Sequence, residues 1–206
     1  MPKNVAFTIH TARTIMFAEL VRVMDHGAQY NRYVESLKEN ITGKNTKSNQ
    51  EKTLRFLTQL YAFNMQEPTF ACFEYCWSQA TQDEKAMLAF LFALGRDYLL
   101  RESLPVVLAT PVGEKVQIEK LENNIETLHP GRFSPKTRRS IAQNIASSWK
   151  QGGYIAGKVK NIRIQTQPGY FATTLALLLS YLHGDRGEFI FKSTWVKALG
   201  IGEAQV

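Results

Sequence analysis

The sequence predicts a mainly α-helical fold with one small β-hairpin toward its C-terminal end. Three observations carry that prediction. Apolar residues recur at spacings of three and four along most of the 206 residues, which is the period of an amphipathic helix. Helix-opening signals stand before several of these stretches: Ser or Thr with Glu three residues on, and proline placed for a first turn. One stretch, 154–165, instead carries isoleucines without helical period between glycine-bounded breaks, as a short hairpin does. A chain that is 44% hydrophobic and 11% aromatic has enough apolar surface for a core, which excludes disorder along its whole length. With 13 Gly and 2 Cys, collagen-like and disulfide-scaffold classes fall away too.

The elements follow in order. A first helix is expected over 12–25, with Ile15, Phe17, Leu20, Val21 and Met24 on its apolar stripe and Gly27 as its end. A second, short helix is expected over 29–40, with Tyr30, Val34 and Leu37 at helical spacing. The polar loop 42–48 leads to Ser48 as N-cap, with Glu51 as capping-box partner, for a third helix that turns Leu54, Leu57, Leu60 and Tyr61 inward. Pro68 fits the first turn of a fourth. Thr81 and Glu84 form another capping box and open a long apolar helix to about residue 100. Between Pro105 and Pro111, Val106, Val107 and Leu108 read as a short strand or an extended connection. Ile118, Leu121, Ile125 and Leu128 predict a helix over 114–128, ended by His129-Pro130-Gly131. Ser134 followed by Pro135 starts the next helix, which stops at Gly152-Gly153. After the hairpin, Pro168-Gly169 breaks the chain before a helix over 170–183 and a last short one over 194–199. We divide the chain at 104/105, into an N-terminal helical part, 1–104, and a C-terminal basic part, 105–206.

Charge is distributed unevenly. The chain holds 25 Lys and Arg against 18 Asp and Glu, a net charge of +7. Residues 127–184 contain no acid and eight bases: Arg132, Lys136, Arg138, Arg139, Lys150, Lys158, Lys160 and Arg163. That one segment therefore accounts for the whole excess, and its Ile, Leu, Trp and Tyr content marks a folded basic face rather than a charged tail. On the helix that begins at Pro135, Ile141, Ile145 and Trp149 share the buried face. Opposite them, within a span of about 80° at 100° per residue, lie Arg139, Lys150, Gln143, Lys136 and Ser147. Ser134, Thr137 and Arg138 sit at the first turn, with Arg132 just before it. Backbone N–H groups of such a turn attract phosphate, Arg and Lys reach guanine edges, and Gln pairs with adenine. The following hairpin carries Lys158, Lys160 and Arg163. A basic helix followed at once by a basic hairpin is the layout of a winged helix-turn-helix, with the helix over 114–128 and the turn 129–133 as the preceding pair. Near the N-terminus, Lys44, Lys47 and Lys52 belong either to a second helix-turn-helix or to a plain helical bundle, since Glu35, Glu39 and Glu51 dilute their charge.

Around the basic helix, Ser134, Thr137, Arg138, Arg139, Ile141, Ile145 and Gly153-Tyr154-Ile155 resemble the recognition helix and wing of bacterial winged helix-turn-helix regulators. The spacing from Trp149 to the hairpin is slightly longer than theirs. Over nearly its full length the chain resembles the BrxA family of bacteriophage-exclusion (BREX) defence systems. The resemblance lies in Leu54-Arg55-Phe56-Leu57, in Arg96-Asp97-Tyr98-Leu99-Leu100 followed by Val106-Val107, and in Ser134-Pro135-Lys136-Thr137-Arg138 with Gly153-Tyr154-Ile155. It implies a small helical accessory protein without catalysis, which binds duplex DNA and works beside other defence components.

Signals for other chemistry are weak. His10, His26, His129 and His183 are scattered, and the sequence has no HExxH, GxSxG or phosphate-loop pattern. No enzyme, cofactor, metal or small-molecule substrate is expected. Cys72 and Cys76 read as two small buried hydrophobes, because no His or Cys pair completes a zinc site. No leader pattern opens the chain, and the most apolar stretches fall short of the roughly 18–20 residues of a membrane span, so a cytoplasmic protein is expected. The alternative to a DNA binder is a helical-bundle adaptor that binds RNA or another protein.

Overall fold

The computed structural model describes residues 7–30, 32–157 and 159–201. Lys158 lies outside them. The chain is mainly helical with one small two-stranded antiparallel hairpin, in line with its periodicity. Its N-terminal helices are α1 (Phe17–Tyr30), α2 (Tyr33–Lys38), α3 (Lys47–Tyr61) and α4 (Pro68–Gln79). Then come α5 (Gln82–Arg96), α6 (Tyr98–Glu102), α7 (Leu104–Leu108), α8 (Ile118–Leu128) and α9 (Pro135–Gln151). Strands β1 (Ile155–Ala156) and β2 (Ile162–Arg163) precede α10 (Tyr170–Leu182), a 3-10 turn (Gly187–Lys192) and α11 (Thr194–Ala198).

The core is built around α5. Every residue from Met87 to Leu94 is buried, so this helix is apolar all round and must be enclosed by its neighbours. α3, α4, α9, α10 and α11 all pack against it. One aromatic cluster joins Tyr61, Phe70, Phe73 and Phe92, with Phe73 and Phe92 rings 4.7 Å apart. A second joins Phe90 to Trp149 at 4.5 Å and to Tyr154 at 4.6 Å. Each such pair adds about 0.5–1.5 kcal/mol beyond the area it buries. The second cluster crosses residue 104, as does the bond from the Trp149 indole N–H to Ser103 Oγ at 2.7 Å.

Several elements differ from the sequence expectation, each for a local reason. α1 begins at Phe17 and runs through Gly27, which does not end it. Gly27 is required for space: a Cβ there would lie 2.2 Å from Cδ1 of Tyr33. The Tyr33 ring is buried, faces Phe63 and Phe70 at 6.2 and 5.4 Å, and has no room to swing away. Gly27→Ala is therefore expected to destabilise by about 1–3 kcal/mol through overpacking, although Ala is the better helix former by roughly 1 kcal/mol. A thermal melt at or above that of the parent chain would refute this. α2 is confined to Tyr33–Lys38. The N-cap of α3 is Thr46, whose Oγ1 accepts from Asn49 N, rather than Ser48. The Asn40 side chain closes the preceding loop on both the N–H and the C=O of Lys44, so the helix starts two residues early.

Thr81 caps α5 as expected, accepting from Glu84 N, but the Glu84 carboxylate accepts instead from Ala172 N at 2.9 Å. It thereby caps α10, whose own N-cap is Gly169 and has no side chain to offer. The long helix breaks at Asp97, which turns extended and caps α6 through Leu100 N. Val106–Leu108 are helical, because Pro105 occupies a first turn rather than bracketing a strand. α8 starts only at Ile118; in the turn before it the backbone of Gly113, Glu114 and Val116 bonds residues 161–163, and Lys115 bridges Ile162.

The N-terminal segment lies along α9 and is clamped there. Asp97 Oδ2 accepts from Ile9 N at 2.7 Å and from Thr8 Oγ1 at 3.0 Å, and faces His10 Nδ1 at 2.8 Å. His10 Nε2 lies 2.8 Å from Ser148 Oγ, which also accepts from Ile15 N. Gln151 and Asn144 bond the backbone of Phe17 and His10. His10 is thus not isolated. The Asp97–His10–Ser148 chain has the residue types of a hydrolase relay, but all three are fully buried, and Ser148 Oγ also donates to Asn144 O. A hydroxyl so engaged and sealed from solvent is structural.

Candidate nucleic-acid interface

The exposed start of α9 is fixed from both sides. Ser134 Oγ accepts from Thr137 N at 3.2 Å and lies 2.9 Å from Thr137 Oγ1, with Pro135 in the first turn. The preceding turn is pinned to α6: His129 Nε2 meets Glu102 Oε2 at 2.7 Å, and the His129 ring packs on Tyr98. Arg132 is exposed while its guanidinium lies 5.5 Å over Tyr98 and 5.4 Å over Phe133, so it is held at the surface by cation–π contacts. α8 and α9 pack together through Leu121, Ile125, Ile141, Ala142 and Ile145, all buried.

The outer stripe of α9 is open only in its first half. Lys136, Thr137, Arg139 and Gln143 are exposed, whereas Lys150 is half-buried. Two of the arginines are not unopposed. Arg138 pairs with Glu126 and is mostly covered; Arg139 pairs with Glu122 at 2.9 Å and lies 3.7 Å from Glu119. The acid-free stretch in sequence is therefore not acid-free in space. The missed signal is legible: Glu119, Glu122 and Glu126 fall on one face of α8, immediately before the basic segment. Arg139 remains half exposed, and a surface pair of this kind holds it by only about 0–1 kcal/mol.

The hairpin has a third partner. β1 pairs with β2 in the register Ile155↔Arg163 and Ala156↔Ile162. On the other edge of β2, Gly113 N donates to Arg163 O at 2.8 Å, Arg163 N to Glu114 O at 2.8 Å, and Val116 N to Asn161 O at 2.9 Å. With both its edges paired, β2 turns Arg163 inward, and this overturns its expected place on the surface. Arg163 is only 4% exposed, and its guanidinium donates to the carbonyls of Tyr154 and Ile164 and lies over the Tyr154 ring. Burial lowers its pKa. Lys160 stays exposed in the turn, and Lys115, which the sequence reading passed over, is exposed on the added edge. Val159 stands between Lys160 and the β1 side of the turn, 81% exposed.

The N-terminal candidates lie on another helix pair. Lys44 is half-buried and pairs with Glu19 at 2.7 Å, while Lys47 and Lys52 are exposed on α3. Exposed aromatics are a second feature the sequence reading missed: Tyr170 and Tyr181 at the two ends of α10, and Phe189 and Phe191 beyond it. Cys72 is half-buried and Cys76 buried, with burial pushing the Cys76 thiol up to about 11. Among the described residues no cluster of three or more His, Cys, Asp or Glu could hold a metal, and no helix is long and apolar enough to cross a membrane. No family model, curated protein or solved structure matches the chain.

Proposed function

We propose that this chain is a non-catalytic accessory protein of a bacterial anti-phage defence system of the bacteriophage-exclusion kind. It works in the cytoplasm beside other components of that system and grips duplex DNA with a winged helix-turn-helix. The reading is supported chiefly by one observation. The order α7, a turn whose residues 113–116 bond alongside β2, α8, α9, hairpin resembles the element order of a winged helix-turn-helix. α9 would enter the major groove by its open first half, with Lys136, Arg139 and Gln143 toward base edges and phosphates. Arg132 and Ser134 would meet the backbone at the helix start, and Lys160 and Lys115 would follow it along the wing. Thr137 holds the cap, and Arg138 and Arg163 hold the fold. The resemblance to the BrxA family supplies the defence setting.

About four to six phosphate contacts from this set give a log–log salt slope of roughly −4 to −5 for duplex binding. Mobility shifts across salt, with duplex DNA, single strands and RNA run side by side, test it; no duplex shift at low salt would sink the proposal. The adaptor reading draws on the exposed aromatics around α10. It predicts, in the same titration, either retention of RNA without duplex DNA or, for a protein-binding adaptor, no retained nucleic acid.

A further inference from the structure

A cleft of about 620 Å³ opens between α7 and α11, with the end of β2 in its wall. Its size lies within the range of small-ligand sites, roughly 300–1,000 Å³. Leu104, Leu108, Val112 and Ile201 give it an apolar side, and among the described residues its charged lining is Arg163 and Lys197. Arg163 is the unusual member. It is nine-tenths buried or more, its Nη1 is engaged by two backbone carbonyls, and its Nε is buried without a hydrogen-bond partner. Among the described residues neither Arg163 nor Lys197 pairs with a carboxylate. A desolvated guanidinium without a counter-charge is costly unless an anion meets it. Gly200 keeps the space beside it clear: at φ +71°, a Cβ there would stand 2.5 Å from Thr166 Oγ1 and 3.1 Å from Arg163 Nη2. The floor is held by Tyr154 Oη donating to Ala198 O and by Thr166 Oγ1 donating to Leu199 O.

We infer that this cleft binds a small aliphatic carboxylate, with the carboxylate on Arg163 and Lys197 and the chain against Leu104, Leu108 and Val112. Binding alone is assigned to the cleft, and no reaction. Because Arg163 is also a β2 residue, with both edges of its strand paired, the occupied cleft would stiffen the hairpin that carries Lys160. The binding claim itself does not rest on the DNA reading and is tested without DNA.

Calorimetric titration of the full chain with octanoate, octylamine and octanol is the test. Saturable one-to-one binding of octanoate is expected, with octylamine and octanol at least about tenfold weaker, the worth of one charge-assisted contact. Lys197→Glu, at an exposed position, should weaken octanoate by about tenfold, and Val112→Trp, also exposed, should abolish binding by filling the cleft. Both variants should melt as the parent does, which keeps the result independent of Arg163 and its structural bonds. Absence of saturable octanoate binding would overturn the inference. So would equal binding of octanol, or binding unchanged in both variants.

Discussion

Asp97→Ala is expected to lower the melting temperature by roughly 6–20 °C. Breaking a buried, hydrogen-bonded charge pair costs about 3–5 kcal/mol, and in a chain of this size each kcal/mol moves the midpoint by roughly 2–4 °C. Asp97 is fully buried and receives bonds from Thr8, Ile9, His10 and Leu100, so its removal leaves several donors unmatched at once. The cap of α6 and the clamp on the N-terminal segment go together. Burial alone would raise the Asp97 pKa, but the charge of His10 and the bonds from His10, Ile9 and Leu100 outweigh it and hold the carboxyl below its ordinary value. A carboxyl with a lowered folded pKa adds stability above the usual Asp range near 4, and that stability is lost as pH falls through the folded value. The gap between the parent chain and Asp97→Asn should therefore be full at pH 7 and should close below about pH 4. Melting curves from pH 7 to pH 3 check both parts. A gap of under about 2 °C for Asp97→Ala, or one that does not change with pH, would show that the clamp contributes nothing of this kind.

How much of this was legible depends on whether a residue's partner is near in sequence. Ser134 and Pro135 fix the start of α9 with bonds inside four residues, and the structure has that start where the sequence puts it. Tyr170–Leu182 and the hairpin were also readable, since their period and their glycine and proline breaks are local. Glu84 was not, because its partner is Ala172, 88 positions away, and the nearer capping box is only half made. Gly27 has the look of a helix end, and only the Tyr33 ring explains why a glycine stands inside a helix. The clamp on Asp97 joins three distant stretches of chain, so four scattered histidines gave no hint that one of them is buried against it. For the candidate interface the charge count was sound and its reach was not. The acid-free window in sequence begins one residue after Glu126, and a helix packed beside α9 brings that acid back.

That correction decides which charge reversals test DNA binding. Arg138→Glu with Arg139→Glu looks like the natural choice from the sequence, but it would set two carboxylates against Glu126 and Glu122 across the α8–α9 contact. Arg138 is mostly covered and its Nε is buried, so the double variant should melt several degrees lower. A loss of binding would then report loss of fold as readily as loss of contact. Lys136→Glu with Lys160→Glu avoids this, because both side chains are exposed and neither forms a salt bridge with an acid among the described residues. It is expected to weaken duplex binding by roughly 10–100-fold near 0.1 M salt and to make the log–log salt slope shallower by about 2, one for each lost phosphate contact. Its melting temperature should stay within about 2 °C of the parent chain. The matched control is Lys47→Glu with Lys52→Glu on α3, which removes the same net charge from the other candidate surface. If the control loses binding and slope while the Lys136 and Lys160 variant keeps both, the contact surface is α3 and not α9 with its hairpin. Equal losses would mean that net charge alone governs the affinity, as it does when a basic protein meets DNA without a preferred face.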